Sequence, residues 1–195
     1  MRITADEKVA TRKRILEAAK SQFRSKGFEQ ATTRDIAREA HIATGTMFNY
    51  FASKEAVVVE LASQGFEKAQ REFVKNRRSG AEIEEELFAL VGAQLRFLRP
   101  MRKYVRPLLD SALTPATITQ VNETNSSLRV DLTEQFAAIL TDHGIEEPSS
   151  VALNLFWALY VGVLTFWGSD NSPKQEDTLA LLDQSLRMYL NWLCK

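Results

Sequence analysis

The chain has 195 residues, 45% of them hydrophobic and 26% charged, which is enough apolar material for a real core and excludes disordered and fibrous classes. Its 25 basic and 25 acidic side chains cancel to a formal net charge of zero, but they are unevenly placed. Residues 1–78 carry 16 basic and 10 acidic side chains, a net of +6, and residues 79–195 carry a net of −6, so the front half points to an anionic partner.

Helical periodicity runs from end to end without alternating β-branched segments, so an all-α fold of about nine helices is expected. The first helix spans Asp6 to Lys26, with Val9, Ile15, Ala19 and Phe23 as its apolar stripe and Gly27 as its stop. Thr32 and Asp35 form a capping-box pair that opens a helix from Thr33 to Ala40. After His41-Ile42-Ala43, Thr44 is placed to cap a second short helix that runs to Tyr50. Ser53 caps a long helix from Lys54 to Lys75, with Glu55 favourably placed in its first turn.

The polar stretch Asn76-Arg77-Arg78-Ser79-Gly80 breaks the periodicity where the charge changes sign, which divides the chain into domains 1–78 and 79–195. Beyond it, helices are expected over Ala81–Leu98 and Met101–Leu113, the second interrupted by Pro107. The next runs from Ala116 to His143, with Ile118, Val121, Asn125, Leu128, Leu132, Phe136 and Ile139 on one face and Gly144 after it. Val151–Gly168 is long and apolar enough to cross a membrane, but one such segment in an amphipathic chain reads as a core helix. Ser172-Pro173-Lys174-Gln175 resembles a capping box, and the helix it opens carries Leu179, Leu182, Leu186, Tyr189, Leu190 and Leu193.

Cys194 is the one cysteine, and the charged opening MRITADEKVATRKR lacks the apolar core of a secretory signal, so a cytoplasmic location is expected. The sequons at Asn122 and Asn125 are then chance matches. His41 and His143 have no partner cysteine or ligand spacing, so no metal and no cofactor is expected. His143 suits a helix C-terminus, and Glu84-Glu85-Glu86 reads as a solvated helix face. No GxSxG, P-loop, GxGxxG or HExxH pattern occurs, and no enzyme is expected.

Two short helices joined by three residues and flanked by longer ones describe a helix-turn-helix. The second offers Thr44, Gly45, Thr46, Asn49 and Tyr50, while Met47 and Phe51 lie four apart on a buried face. Threonine and asparagine can bond base edges or phosphates, and Gly45 permits close backbone approach. Lys54 can serve as a point charge to the backbone, Arg34 can meet phosphate or guanine, and Arg12, Lys13 and Arg14 either add nonspecific affinity or form a solvated face.

Residues Lys8 to Ala69 resemble the DNA-binding domain of the TetR family of transcriptional regulators. The resemblance is carried by TRKRILEAAKSQFRSKGFEQATTRDIAREA, HIATGTMFNYF, SKEA and the spacing between them. It implies that Arg34, Ala43, Thr44, Gly45 and Thr46 meet bases or nearby phosphates, and that Thr33, Tyr50 and Lys54 meet phosphates. Two positions depart from the family pattern. Phe48 stands where tyrosine is common, which removes a hydroxyl but leaves a ring able to pack on sugar or a thymine methyl. His41 stands where the turn commonly has glycine, and His tolerates a left-handed backbone at modest cost.

By the same resemblance the last two helices pair with those of a second subunit, with Leu153, Trp157, Leu164, Leu186 and Tyr189 as interface candidates. The resulting homodimer would place two recognition helices on a palindromic double-stranded DNA operator. The resemblance also implies a pocket for a small-molecule effector between Ala81 and His143. Phe88, Phe97, Tyr104, Phe136 and Trp157 are its candidate lining, and Arg99, Arg102 and Arg106 its candidate anion anchors. The expected function is a ligand-responsive DNA-binding repressor. A second reading is a helical interaction module whose basic half meets an acidic protein, and preference for one duplex sequence separates the two.

Overall fold

The structure is a computed structural model and describes residues 4–104, 121–145 and 148–194. Among them it is all-α, with eight α-helices. These are α1 (Ala5–Lys26), α2 (Thr33–Glu39), α3 (Thr44–Phe48), α4 (Lys54–Asn76), α5 (Ile83–Leu98), α6 (Val121–Asp142), α7 (Ser150–Ser169) and α8 (Glu176–Leu193). The expected helix over Met101–Leu113 is a 3-10 turn, Arg99–Tyr104, as far as the described residues go. Pro107, Arg106, Ala116 and Ile118 lie outside them, as do the side chains of Val121, Asn125 and Leu128.

Helix ends follow local chemistry. Thr4 and Glu7 make a capping box that starts α1, and Gly27, at φ 80°, stops it with its N–H on the Phe23 carbonyl. The Thr32–Asp35 box starts α2 and Ser53 caps α4, both as expected. Gly144, at φ 81°, ends α6, while Ile145 donates to the Leu140 carbonyl across the turn.

The side chains gather into two apolar clusters. The first joins α1, α2, α3 and the start of α4 around Ile15, Ala19, Ile36, Met47, Val57 and Val58. Val9, expected in that stripe, is 69% exposed because the start of α1 extends beyond the core, whose first buried residue on this helix is Ile15. The second cluster joins the rest of α4 to α5, α6, α7 and α8 around Leu87, Phe136, Phe156, Tyr160, Trp167 and Leu186. Leu132, Phe136 and Ile139 are buried as their spacing predicts, and Leu182, Leu186, Tyr189 and Leu190 likewise, while Leu179 is exposed. α7 passes the length and hydropathy test for a membrane span, yet it packs on α6 and α8 through Phe156, Tyr160, Val163 and Trp167.

Two local readings are corrected. Glu86, expected in solvent, is buried at the foot of α5, where Arg77 and His143 both bond its carboxylate and Arg77 also reaches Asp142 at 2.6 Å. Burial opposes the charge on Glu86, but Arg77 and His143 outweigh it and hold the carboxyl below its usual range. At the α7–α8 corner, Lys174 and Gln175 are left-handed, so the expected capping box gives way to a 3-10 turn, Pro173–Gln175, and α8 starts at Glu176. The residue that organises this corner is Asp170. It is buried and accepts from the Ser172 N–H at 2.7 Å, the Thr178 N–H at 3.0 Å and the Thr178 hydroxyl at 2.5 Å.

The Thr178 hydroxyl bond, aided by Ser172 against the cost of burial, holds the Asp170 carboxyl far below the ordinary carboxylate range. A depressed folded-state pKa contributes stability above the unfolded value, near 4, and loses it as pH falls toward the folded value. Asp170→Asn should therefore lower Tm by several degrees at pH 7, with the gap to the wild type narrowing in melts near pH 3. A gap that stayed constant with pH would refute this account of the corner.

Candidate nucleic-acid interface

The recognition element is held from below. Met47 of α3 is fully buried, and Phe51 and Ile36 close around it. With that face anchored, the opposite face of α3 stands in solvent: Gly45, Phe48 and Asn49 are exposed, and Thr44, Thr46 and Tyr50 are half-buried. Phe48 keeps 51% of its surface exposed, a poor position for a phenyl ring in an isolated chain.

The turn between α2 and α3 is a Schellman motif. The His41 N–H donates to the Arg38 carbonyl and the Ile42 N–H to the Ala37 carbonyl at 3.0 Å, with His41 left-handed at φ 54°. Glycine is not required there because histidine is among the residue types that enter this region at modest cost. Thr44, read as a cap, is the first helical residue. Ala43 occupies the cap position and makes no side-chain bond, which leaves the Thr44 hydroxyl free of capping duty. At the start of α2, Thr33 is half-buried and Arg34 exposed. Asp35 beside them is held down to about 2, first by the Thr32 hydroxyl and then by Lys26, against the cost of burial.

Two cations have roles that residue type did not reveal. Lys54, expected as a free charge, donates to the carbonyls of Phe28 at 2.8 Å and Glu29 at 3.2 Å and sits 4.4 Å over the Phe28 ring. It fastens α4 to the turn after α1. Arg12 pairs with Glu60 at 2.9 Å and lies 4.5 Å over Phe51, so it braces α1 on α4, whereas Lys13 and Arg14 remain exposed. The partners Phe28, Phe51 and Glu60 are 26, 39 and 48 residues away in sequence, beyond any local pattern.

The candidate pocket residues divide between the clusters, with Phe88 and Trp157 packed against the second beside Phe136 and Tyr104 against the first. Phe136 is fully buried and stacks on Phe156 with ring centroids 3.7 Å apart. Tyr104 belongs to the first cluster, where it meets Phe23 and Phe28 and donates to the Phe23 carbonyl. Phe88, Phe97 and Trp157 are half-buried. Arg102 is no anion anchor, since it bonds the carbonyls of Trp167 and Asp170 at the end of α7; Arg99 is exposed. Of the interface candidates, Leu164, Leu186 and Tyr189 are buried in the chain's own core, and Leu153 and Trp157 are half-buried. The first three have almost no surface left for a partner.

Comparison with known proteins places this arrangement. Residues 15–61 match the family described as bacterial regulatory proteins, tetR family, and residues 86–195 match the tetracyclin repressor-like C-terminal domain. The chain belongs to the TetR family of bacterial regulatory proteins. It is similar to the HTH-type transcriptional repressor KstR of Mycolicibacterium smegmatis, 31% identical over 107 residues, 55% of this chain and 50% of that protein. It is also similar to the HTH-type transcriptional regulator UidR of Escherichia coli, 38% identical over 63 residues, 32% of each. The matched stretches thus span half or less of these relatives' length. Among solved structures, Thermus thermophilus FadR, a TetR family transcriptional repressor in complex with lauroyl-CoA, superposes with a TM-score of 0.72 at 25% identity over 92% of this chain and 93% of that one.

Gly45 isolates the purpose of the exposed face. A Cβ added there would meet nothing within 4 Å, and its φ is not left-handed, so neither packing nor backbone strain requires glycine. Gly45→Ala should leave Tm unchanged or raise stability by up to about 1 kcal/mol, as alanine favours helix. The same substitution should weaken duplex binding measured by fluorescence anisotropy. Unchanged affinity would remove the α3 N-terminus from the interface.

Proposed function

We propose that the chain is a homodimeric, DNA-binding transcriptional regulator, a cytoplasmic repressor that leaves a palindromic operator when a small-molecule effector binds. The observation that carries this reading is α3 itself, with its apolar residue buried and its solvent face made of Thr44, Gly45, Thr46, Phe48 and Asn49. Such a face fits the major groove, where Thr46 and Asn49 bond base edges, Phe48 meets a thymine methyl or sugar, and Arg34 meets guanine or phosphate. Thr33, Ala43 and Tyr50 border the groove and meet the backbone. In Lys54 the ammonium serves the fold first, so its contribution to phosphate is secondary.

Dimerisation is proposed through α7 and α8, but on a face different from the one their hydrophobic spacing first indicated. Val151, Leu155 and Phe166 are exposed along one stripe of α7, and Leu181, Met188 and Trp192 along one stripe of α8. These helices pack side by side, so the two stripes supply an apolar surface of the kind a two-fold interface buries. No catalytic role is assigned, and the partners are double-stranded DNA, a second copy of the chain and a small molecule.

The reading is tested by selecting duplexes from a random pool with the purified chain and sequencing the bound fraction at near-physiological salt. A palindrome with half-sites about one helical turn apart is expected. Thr46→Ala should then cost about 1–3 kcal/mol on that site and relax specificity at one base position. Binding without enrichment, lost as salt rises, would favour the interaction-module reading. Met188→Glu should halve the mass seen by light scattering and weaken operator binding; a dimer that persists would move the interface elsewhere.

A further inference from the structure

A groove of about 170 Å³ opens where α4, α5 and α6 meet. Its polar walls are Ser63, Glu67 and Gln70 of α4, Gln94 of α5, and Asp131 and Gln135 of α6. Gln94 is only 3% exposed, yet among the described residues its Oε1 has no hydrogen-bond partner, and the buried Oε1 of Gln135 has none either. Buried acceptors of this kind are uncommon because desolvating them without a donor is unfavourable, and leucine would fill the position of Gln94 without that cost. Two such atoms therefore share one groove, where a bound donor would satisfy them.

The charges give the class of donor. Glu67 and Asp131 are exposed carboxylates on the groove, and among the described residues no lysine or arginine lines it. Arg71, one turn beyond Glu67 on α4, sits at 3.9 Å from its carboxylate, too far for a strong hydrogen bond. Phe66 and Leu132 supply apolar wall between the polar groups.

We propose that this groove binds an organic cation, a small alkyl amine or guanidine. Its N–H donors meet the carbonyl oxygens of Gln94 and Gln135, its charge is balanced by Glu67 and Asp131, and its alkyl part lies on Phe66 and Leu132. The proposal rests on the regulatory reading for its consequence, altered DNA binding through α4, and not for the binding event.

The test uses the full chain without DNA, at constant ionic strength so that the cations do not act as salt. Thermal unfolding and titration calorimetry are run with putrescine, agmatine and spermidine, and with lauroyl-CoA as an anionic comparator. A saturable rise in Tm with at least one amine is expected. Asp131→Asn and Glu67→Gln should each weaken that amine about tenfold, the worth of a charge-assisted hydrogen bond, and Asp131→Lys should abolish binding. Gln94→Leu should abolish the amine response while raising the Tm of the ligand-free chain. The proposal fails when no amine gives a saturable shift, or when the shift survives Asp131→Lys and Gln94→Leu. An amine that binds a chain unable to select a duplex upholds this site and removes the regulatory reading, whereas a selected operator with inert amines does the reverse.

Discussion

The structure depends on one helix being part of two cores at once. The first turns of α4 place Val57, Val58 and Leu61 in the cluster beneath the helix-turn-helix, and the following turns place Ala62, Phe66 and Phe73 against the second cluster. At 23 residues the helix is about 35 Å long, enough to reach from the base of α3 to the Arg77–Glu86–His143 cluster. Gly65 lets α5 come close: a Cβ there would lie 3.1 Å from the Leu98 side chain. The far half of α4 and the seat of α3 are thus joined by one continuous packed helix.

A second connection runs through the 3-10 turn after α5. Met101 packs against both clusters, Tyr104 bonds the end of α1, and Arg102 bonds the end of α7. Sequence spacing assigned Tyr104 and Arg102 to an effector pocket, since an aromatic and a cation in an irregular segment suit ligand recognition. In the structure Tyr104 ties the turn to α1 and Arg102 ties it to α7, and the unpartnered buried acceptors lie instead on α5 and α6. The proposed cation groove is built on α4 itself, the helix whose first turns pack in the cluster beneath α3.

Much of this architecture was legible in the residues. Capping pairs such as Thr32–Asp35, stops such as Gly27 and Gly144, and the burial of Met47 follow from local rules whose partners lie within a few positions. The solvent-facing side of α3 was equally plain, because burying Met47 leaves Thr44, Thr46, Phe48 and Asn49 on the opposite side. What spacing could not reveal depends on contacts distant in sequence. Lys54 and Arg12 look like free charges until Phe28 and Phe51 come beneath them, and Glu86 looks solvated until Arg77 and His143 close over it. Leu186 and Tyr189 mark the apolar stripe of α8, but periodicity does not say whether that stripe faces its own chain or a partner.

The claim that α4 binds both clusters into one unit is tested most directly by equilibrium unfolding in denaturant with two probes. All three tryptophans, Trp157, Trp167 and Trp192, lie on α7 and α8, so their fluorescence reports the second cluster alone, while far-ultraviolet circular dichroism reports every helix. A shared helix predicts coincident transitions with one midpoint at a given protein concentration. A tryptophan transition separated from a second loss of helicity would mean that the helix-turn-helix folds on its own and that α4 does not couple the two halves.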